Sequence, residues 1–322
     1  MRAIEISRHG GPEVLVPVET TAPTPGPGEV LVRTGAVGVN YIDTYFREGI
    51  YGSELPFIPG SEGAGVVEQV GEEVSDLAVG DRVAWCQVPG SYATQVVAPA
   101  EALVGVPDGV DDHVAASMLL QGLTAHYLIT DTHRATPGDS VVITAGAGGV
   151  GQLLIQMAVA RGYRVITTTS TEEKADLCRR LGAHDVLLYP QYTAESVREL
   201  SDGGVAAVFG GVRRDAFDTS RASLTVRGTL VLFGAASGPV RPVDPQELNA
   251  AGSVFLTRPK LGDFIATTEE FRSRADEVLT GVLDGSLRVE VGATFGLSEA
   301  ERAHRALQSR QTTGSVTLDP AR

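Results

Sequence analysis

The amino-acid sequence predicts an α/β protein with a β-rich part followed by a doubly wound parallel sheet. Short alternating runs broken by Gly and Pro fill residues 1 to about 120, which is typical of a barrel-like all-β unit. From Val141 onward, strands alternate with helices, as they do in a doubly wound sheet. The 322-residue length agrees with two domains.

The β-rich part opens with an alternating run at the N-terminus, which predicts a strand and not a signal peptide. Pro59-Gly60, Gly80-Asp81 and Pro89-Gly90 mark turns between later strands. The further strands predicted here are 30–33, 65–70, 82–85 and 92–97.

The second part begins after about Asp111, where longer periodic segments appear. A continuous apolar run such as 141–144 indicates a strand of a parallel sheet that is buried on both faces. Gly182 is expected to end the helix that is predicted at residues 172–181. The helices predicted are 114–129, 150–161, 172–181 and 264–284. The strands predicted are 141–144, 164–168, 185–188, 206–209, 229–234, 253–257 and 314–318.

Composition limits the classes of partner. The net charge of −14 disfavours nucleic acid and anionic membranes, because an acidic surface repels phosphate. No apolar run approaches the roughly 18 residues that a membrane span needs. Cys86 and Cys178 lie far apart and form no ligand-like spacing. We expect two reduced thiols in a cytoplasmic protein.

A glycine-rich loop is the sharpest local signal. It reads Ala145-Gly146-Ala147-Gly148-Gly149-Val150-Gly151, follows an apolar strand and opens a helix. Gly146, Gly148 and Gly151 meet the G-x-G-x-x-G spacing, which lets the backbone approach a pyrophosphate at a helix N-terminus. The strand and helix on either side favour dinucleotide binding over a plain Gly-rich turn.

The end of the next strand favours NADPH over NADH. An NAD site places an acid there to bind the ribose 2′-OH, whereas residues 167–171 carry only Thr and Ser. Ser170 and Lys174 suit a 2′-phosphate, because they donate hydrogen bonds and add positive charge. Two points oppose this: the hydroxyls are also suited to capping the next helix, and Glu172 and Glu173 lie close by.

No zinc site and no hydrolase motif are evident. The segment 59–65 has Ser61 beside Glu62 and lacks a histidine, and no two of the six histidines have metal-ligand spacing. A Gly-x-Ser-x-Gly elbow is also missing, which argues against an α/β-hydrolase.

Motifs along nearly the whole chain resemble the quinone oxidoreductase (ζ-crystallin-like) branch of the medium-chain dehydrogenase/reductase superfamily. The motifs are ordered as in that branch. They are Gly10-Gly11-Pro12-Glu13-Val14-Leu15, Val39-Asn40-Tyr41-Ile42-Asp43-Thr44-Tyr45, Gly80-Asp81-Arg82-Val83, Gln121-Gly122-Leu123-Thr124-Ala125, the glycine-rich loop, residues 227–234 and Leu256-Thr257-Arg258-Pro259.

The resemblance implies a GroES-like catalytic domain formed by residues 1–122 and 261–322, with a Rossmann NADPH-binding domain, residues 123–260, between them. Ser61 stands where zinc-using relatives have a His ligand, so the resemblance implies a zinc-free enzyme. It further implies a homodimer, joined through an edge strand that begins at Ser253 and ends at Thr257.

The resemblance also assigns site residues. Asn40, Tyr45 and Thr124 should line the nicotinamide and substrate pocket, and the remaining residues should bind the cofactor. The alternative for Tyr45 is aromatic core packing. The expected cofactor-binding residues are Gly146, Gly148, Gly149, Val150, Gly151, Ser170, Lys174, Tyr189, Phe233, Gly234 and Arg310.

Residues 209–213, which read Phe-Gly-Gly-Val-Arg, depart from the family pattern Tyr-Asp-x-Val-Gly. Gly210 replaces the Asp, and Arg213 replaces the Gly beside the cofactor, which hints at a specialised substrate. The expected function is zinc-free, NADPH-dependent reduction of a quinone or similar conjugated carbonyl. The alternatives are an enone or enoyl reductase of a biosynthetic pathway, and a non-catalytic NADPH-binding protein.

Overall fold

The computed structural model describes residues 1–210, 216–234, 238, 240–310 and 312–322. The chain divides into two compact units. The first unit combines Met1–Gln121 with Ala266–Arg322, and the second is Gly122–Ile265. Of the helices described, none is long and apolar enough to cross a membrane.

The strands are β1 (Arg2–Glu5), β2 (Val16–Glu19), β3 (Glu29–Val39), β4 (Glu62–Val70), β5 (Arg82–Cys86), β6 (Gln95–Pro99), β7 (Leu103–Gly105), β8 (Ser140–Ile143), β9 (Arg164–Thr169), β10 (Asp185–Leu188), β11 (Val205–Gly210), β12 (Leu224–Leu232), β13 (Phe255–Thr257), β14 (Val291–Gly296) and β15 (Ser315–Asp319). The α-helices are α1 (Tyr41–Arg47), α2 (Asp112–Asp131), α3 (Gly149–Ala160), α4 (Glu172–Arg180), α5 (Ala194–Leu200), α6 (Phe217–Ala222), α7 (Pro245–Ala250), α8 (Thr268–Asp284) and α9 (Ala300–Gln308).

The first unit is organised around the long strand β3. Strand β4 pairs with one edge of β3, while β6 and β15 share the other edge, at its N-terminal and C-terminal halves. The seven-stranded sheet runs β14-β15-β3-β4-β5-β7, with β6 on β3. Its apolar core includes Val32, Trp85 and Tyr92, none of which is exposed. Segments from both ends of the chain therefore build one sheet.

The second unit contains a six-stranded parallel sheet with the order β10-β9-β8-β11-β12-β13. This is the doubly wound order in which the connection reverses between the first and fourth strands, here β8 and β11. Val142, Ile166, Val208 and Leu230, one from each of four central strands, are at most 1% exposed. The predicted parallel sheet is confirmed, and the glycine-rich loop leaves β8 at the reversal point.

Some predicted boundaries were wrong. The strand predicted from residue 92 begins at Gln95, because Tyr92 and Thr94 bond to the short strand β1 before the ladder with β3 starts. The strand predicted from Ser253 begins at Phe255, since Ser253 has a φ of 55°, outside the extended region. Helices α1 and α9, among others, were not predicted, because each is shorter than ten residues and carries a weak periodic signal.

Candidate functional site

The glycine-rich loop is held by close contacts on its inner side. A Cβ added at Gly146 would lie 2.1 Å from Thr167 Oγ1, and one at Gly151 would lie 2.5 Å from the carbonyl oxygen of Ala145. The Gly146 N–H donates to the Thr168 carbonyl at 3.0 Å, which ties the loop to β9. These two glycines are therefore required by the packing of strand against helix.

Gly148 has a different environment. It is exposed, with an ordinary φ of −79°, and a Cβ there would meet only the Ala145 oxygen, at 3.4 Å. Helix α3 starts at the next residue, and no described side chain caps its N-terminus. Gly149 and Val150 are half-buried. An open glycine before an uncapped helix end, whose N–H groups carry partial positive charge, fits a bound pyrophosphate.

The end of β9 offers hydroxyl groups and one lysine. Ser170 is exposed and Lys174 is half-buried, and desolvation lowers the pKa of Lys174. Thr171 caps α4 by accepting from the Lys174 N–H at 3.3 Å, so the capping alternative holds for Thr171. Tyr189 is half-buried in a short 3₁₀ turn after β10. This edge therefore carries the hydroxyl groups of Ser170 and Tyr189 and one lysine, and of these three residues Ser170 is exposed.

The residues after β11 and β12 are only partly described. Phe233 donates its N–H to the Gly210 carbonyl at 2.9 Å, and the exposed Gly234 adopts a φ of 65°. A Cβ at Gly210 would make ordinary contacts, the nearest with Leu232 at 3.8 Å, so the packing does not require glycine at this position. Arg213, the other departure, lies outside the described residues.

In the first unit, Asn40 lies in a buried group of polar side chains. Its Nδ2 donates to Glu62 Oε2 at 2.6 Å, and its Oδ1 accepts from Gln121 Nε2 at 3.3 Å. The Asn40 N–H donates to Asp43 Oδ2 at 2.8 Å, at the start of α1. Asn40 is 5% exposed and Glu62 is not exposed at all. The orientation of the Asn40 carboxamide is therefore fixed by its partners.

Tyr45 belongs to an aromatic cluster on the same helix. Its ring lies 5.4 Å from Tyr51 in an edge-to-face arrangement and 6.5 Å from Tyr41, measured between centroids. Tyr45 is 9% exposed, so the aromatic-packing alternative also fits its surroundings. The structure thus places Tyr45 on α1, the helix that follows Asn40, and only a small part of each residue is exposed.

A second buried network in this unit has a defined direction. The Arg47 guanidinium only donates, so His304 Nδ1, 3.0 Å from Nη1, must accept. His304 Nε2 then carries the proton and donates to the Tyr92 hydroxyl at 2.9 Å, and Tyr92 donates to Asp43 Oδ2 at 3.0 Å. A chain of hydrogen bonds with one direction therefore runs from the Arg47 guanidinium to the Asp43 carboxyl group, which also accepts from the Asn40 N–H.

Sequence reasoning missed both networks. Glu62, Arg47, Tyr92 and His304 lie far apart in the sequence, so no spacing could reveal them. Only Asp43 had a local signal, because Asn followed three residues later by an acid is typical of a helix N-terminus.

Burial shifts the pKa of Asp43, Glu62 and His304, and it also raises the pKa of Tyr92 and lowers that of Arg47. Desolvation raises the pKa of Asp43 to about 7 and that of Glu62 to about 8. Desolvation lowers the pKa of His304 to about 3, and the nearby Arg47 charge lowers it further. Both carboxyl groups therefore bind protons more tightly in the folded chain than in the unfolded chain, and the imidazole binds its second proton more weakly.

These shifts predict how stability depends on pH. As the pH falls below about 6.5, protonation of His304 in the unfolded chain lowers the free energy of unfolding, whereas the protons held by Asp43 and Glu62 in the folded chain raise it. Above pH 6.5 the two carboxyl groups dominate, because they ionise freely only in the unfolded chain. We expect the free energy of unfolding to fall by about 2 kcal/mol between pH 6.5 and 8.

Urea unfolding, followed by the fluorescence of the single tryptophan, Trp85, measures this slope in the first unit. The Glu62→Gln variant should show a shallower slope, because one titrating carboxyl group is removed. A stability that rises from pH 6.5 to 8 would contradict the assignment.

Two predicted site residues have less defined surroundings. Thr124 lies on α2 within the second unit and is 8% exposed. Arg310 is exposed, follows α9 in the first unit and has a φ of 58°. Among the residues that the structure describes, no three His, Cys, Asp or Glu side chains are grouped to hold a metal ion.

Comparisons with known proteins agree with this arrangement. One family model, "Alcohol dehydrogenase GroES-like domain", matches residues 26–108, and another, "Zinc-binding dehydrogenase", matches residues 149–279. A "Quinone oxidoreductase" of Pseudomonas aeruginosa is 43% identical, and 99% of each chain is covered. A "2-haloacrylate reductase" of a Burkholderia species is 41% identical, with 99% of this chain and 98% of the relative covered.

A solved structure is also similar over the whole chain. A mycobacterial protein in complex with NADPH has a TM-score of 0.96 and 53% identity, covering 99% of this chain and 100% of that one. The predicted GroES-like domain and Rossmann domain are therefore confirmed.

Proposed function

Because the chain belongs to the quinone oxidoreductase branch of the medium-chain dehydrogenase/reductase superfamily, we propose that it reduces a quinone or similar conjugated carbonyl with NADPH. The observation that carries the proposal is the open, exposed Gly148 before an uncapped helix end. This arrangement accepts a dinucleotide pyrophosphate without rearrangement of the backbone.

The second unit would hold the cofactor through its loops. Gly146 and Gly151 keep strand and helix close, while Gly148, Gly149 and Val150 face the phosphates. Phe233 and Gly234 would contact the nicotinamide end through backbone groups, supported by the exposed, left-handed Gly234. From the first unit, Arg310 is proposed as a further contact to the cofactor.

Ser170, Lys174 and Tyr189 are proposed to bind the adenosine 2′-phosphate. Lys174→Ala should weaken NADPH binding at least about 10-fold, because a charge-assisted hydrogen bond is lost. NADH affinity should stay nearly unchanged, since NADH has no 2′-phosphate. Fluorescence titration with both nucleotides measures the ratio of the two Kd values.

The chain offers a matched control for this substitution. It contains only one other lysine, Lys260, which is exposed and paired with Asp263. Lys260→Ala should leave both affinities unchanged. An equal loss of NADPH and NADH affinity in Lys174→Ala would show that Lys174 does not read the 2′-phosphate.

Asn40, Tyr45 and Thr124 are proposed to line the nicotinamide and substrate pocket. The bound cofactor supplies a hydride, that is, two electrons and one proton equivalent. Asn40 has one Nδ2 hydrogen bonded to Glu62, and its second hydrogen would polarise the substrate carbonyl. The hydroquinone anion takes its remaining proton from water, so the chain needs no dedicated acid.

The test of function is a turnover assay of the purified protein with NADPH and a panel of quinones. We expect oxidation of NADPH with stoichiometric hydroquinone, and lower kcat/KM with NADH. A protein that binds NADPH tightly yet reduces no member of a quinone and enone panel would sink the reductase proposal and favour a non-catalytic role.

A second substrate class is favoured by one comparison. The 2-haloacrylate reductase at 41% identity is named for a conjugated acid, so the enone reductase alternative extends to acrylate-type substrates. The panel should therefore include 2-chloroacrylate. Faster turnover of the acrylate than of every quinone would transfer the assignment to this second class.

We also propose the domain assignment, the oligomeric state and the location. Residues 1–122 and 261–322 would form the catalytic domain and residues 123–260 the cofactor domain, supported by the two compact units. A cytoplasmic location is supported by two buried, unpaired cysteines.

A homodimer through the strand between Ser253 and Thr257 is supported by the edge position of β13. Phe255 on this strand is 39% exposed. Sedimentation should give twice the chain mass, and Phe255→Asp should reduce it to the mass of one chain. A wild-type protein that sediments with the mass of one chain would refute the dimer.

A further inference from the structure

Glu62 has an unusual position for a charged side chain. It is not exposed at all, yet it accepts two hydrogen bonds, from Asn40 Nδ2 at 2.6 Å and from the Leu120 N–H at 2.8 Å. Its cross-strand neighbour is Gly38, where an added Cβ would lie 2.7 Å from Glu62 Oε2. The fold thus leaves space for this carboxyl group beside Asn40, although burying a carboxylate is costly.

The bonds around Asn40 form a chain with one direction. Ser315 Oγ donates to Gln121 Oε1 at 2.8 Å, and Gln121 Nε2 donates to Asn40 Oδ1 at 3.3 Å. Asn40 then donates to Glu62, which acts only as an acceptor when it is ionised, above its pKa of about 8. In that form the carboxylate ends the chain, so each amide has only one orientation that satisfies every bond.

We propose that Glu62 is a positioning residue for the reduction: it fixes which face of the Asn40 carboxamide is presented to the substrate. This inference rests on the proposed function, in which Asn40 polarises the substrate carbonyl. With Oδ1 bonded to Gln121 and one Nδ2 hydrogen bonded to Glu62, the described residues leave a single Asn40 N–H for the substrate.

Glu62→Gln tests the proposal. The carboxylate accepts two hydrogen bonds, whereas the amide accepts at its oxygen and donates at its nitrogen. Leu120 or Asn40 therefore loses its acceptor, or the Asn40 amide inverts. In an assay above pH 8, where Glu62 of the wild type is ionised, we expect kcat with a quinone to fall about 10- to 100-fold, as for a misoriented catalytic group. The Kd for NADPH should change less than about 2-fold, because Glu62 lies outside the cofactor loop.

A double variant separates orientation from packing. In Glu62→Gln/Gln121→Glu, the carboxylate at position 121 accepts from Ser315 and from Asn40, and the amide at position 62 donates to Asn40 and accepts from Leu120. Every bond is satisfied, but the Asn40 carboxamide is inverted. We expect stability near that of the wild type together with a low kcat. Recovery of the wild-type kcat would overturn the proposal.

The other outcomes are also decisive. A wild-type protein without turnover would refute the proposed function itself. An active wild type, an impaired Asn40→Ala variant and a Glu62→Gln variant with unchanged kcat would refute only the role of Glu62. If Glu62→Gln does not fold, Glu62→Asp replaces it: the carboxyl group is kept but retracts by one methylene, and an unchanged kcat contradicts the proposal.

Discussion

Replacing Gly148 with valine should abolish NADPH binding at working concentrations, with a Kd increase of at least about 100-fold. Gly148 is exposed and has an ordinary φ, so valine fits the folded chain without strain. Its side chain, however, would occupy the space before the first turn of α3, where the pyrophosphate is proposed to lie. The two isopropyl methyl groups then exclude the phosphates from the N–H groups.

Two other glycines serve as controls for this variant. Gly105, in β7 of the first unit, also has open space around it, so Gly105→Val should leave NADPH affinity unchanged. Gly146→Ala should instead destabilise the chain by about 1–3 kcal/mol, since the added carbon collides with Thr167. Fluorescence titration and thermal unfolding distinguish the three. Undiminished NADPH binding by Gly148→Val would refute the cofactor site.

Replacing Arg47 with methionine should lower the free energy of unfolding of the first unit by about 3 kcal/mol. The guanidinium is fully buried, and it donates to the Gly10 carbonyl at 3.1 Å and to His304 Nδ1 at 3.0 Å. Methionine fills much of the volume but donates to neither, so the buried His304 Nδ1 and the half-buried Gly10 carbonyl lose their donor. Urea unfolding monitored through Trp85 reports on this unit.

The control for that measurement is Arg305→Met on α9. The Arg305 side chain is 55% exposed and pairs with Glu301, so the change should stay within about 1 kcal/mol. If the two variants unfold at the same urea concentration, the buried network does not stabilise the unit, and the directed chain through His304 loses its structural role.

The parts of the molecule that the sequence predicts are those in which the signal is local. The glycine-rich loop and the strands β8 and β9 lie within about 30 residues, as a βαβ unit requires. There, Gly146 and Gly151 reveal by their spacing alone that strand and helix pack closely. The lack of an acidic residue after β9 was also evident from the sequence, because the position of the ribose-binding acid is found by its distance from the glycine-rich loop.

The catalytic-domain networks were beyond such reasoning. Asn40 was identified only through family resemblance. The four residues of its network, Asn40, Glu62, Gln121 and Ser315, come from four separate places in the sequence. Isolated polar residues in an apolar sequence look like surface positions, because polar side chains are mostly exposed. Their burial becomes evident only when the sheet has brought them together and satisfied each donor.

The arrangement of β3 has a consequence for biosynthesis. Its C-terminal half pairs with β15, where Val39 lies opposite Val316, so this part of one edge stays open until residues 315–319 have been made. The continuous Gly122–Ile265 unit has all its strands much earlier. On a ribosome that completes segments in order, we expect it to fold first. The first unit, which takes segments from both sides of Gly122–Ile265, completes its sheet afterwards.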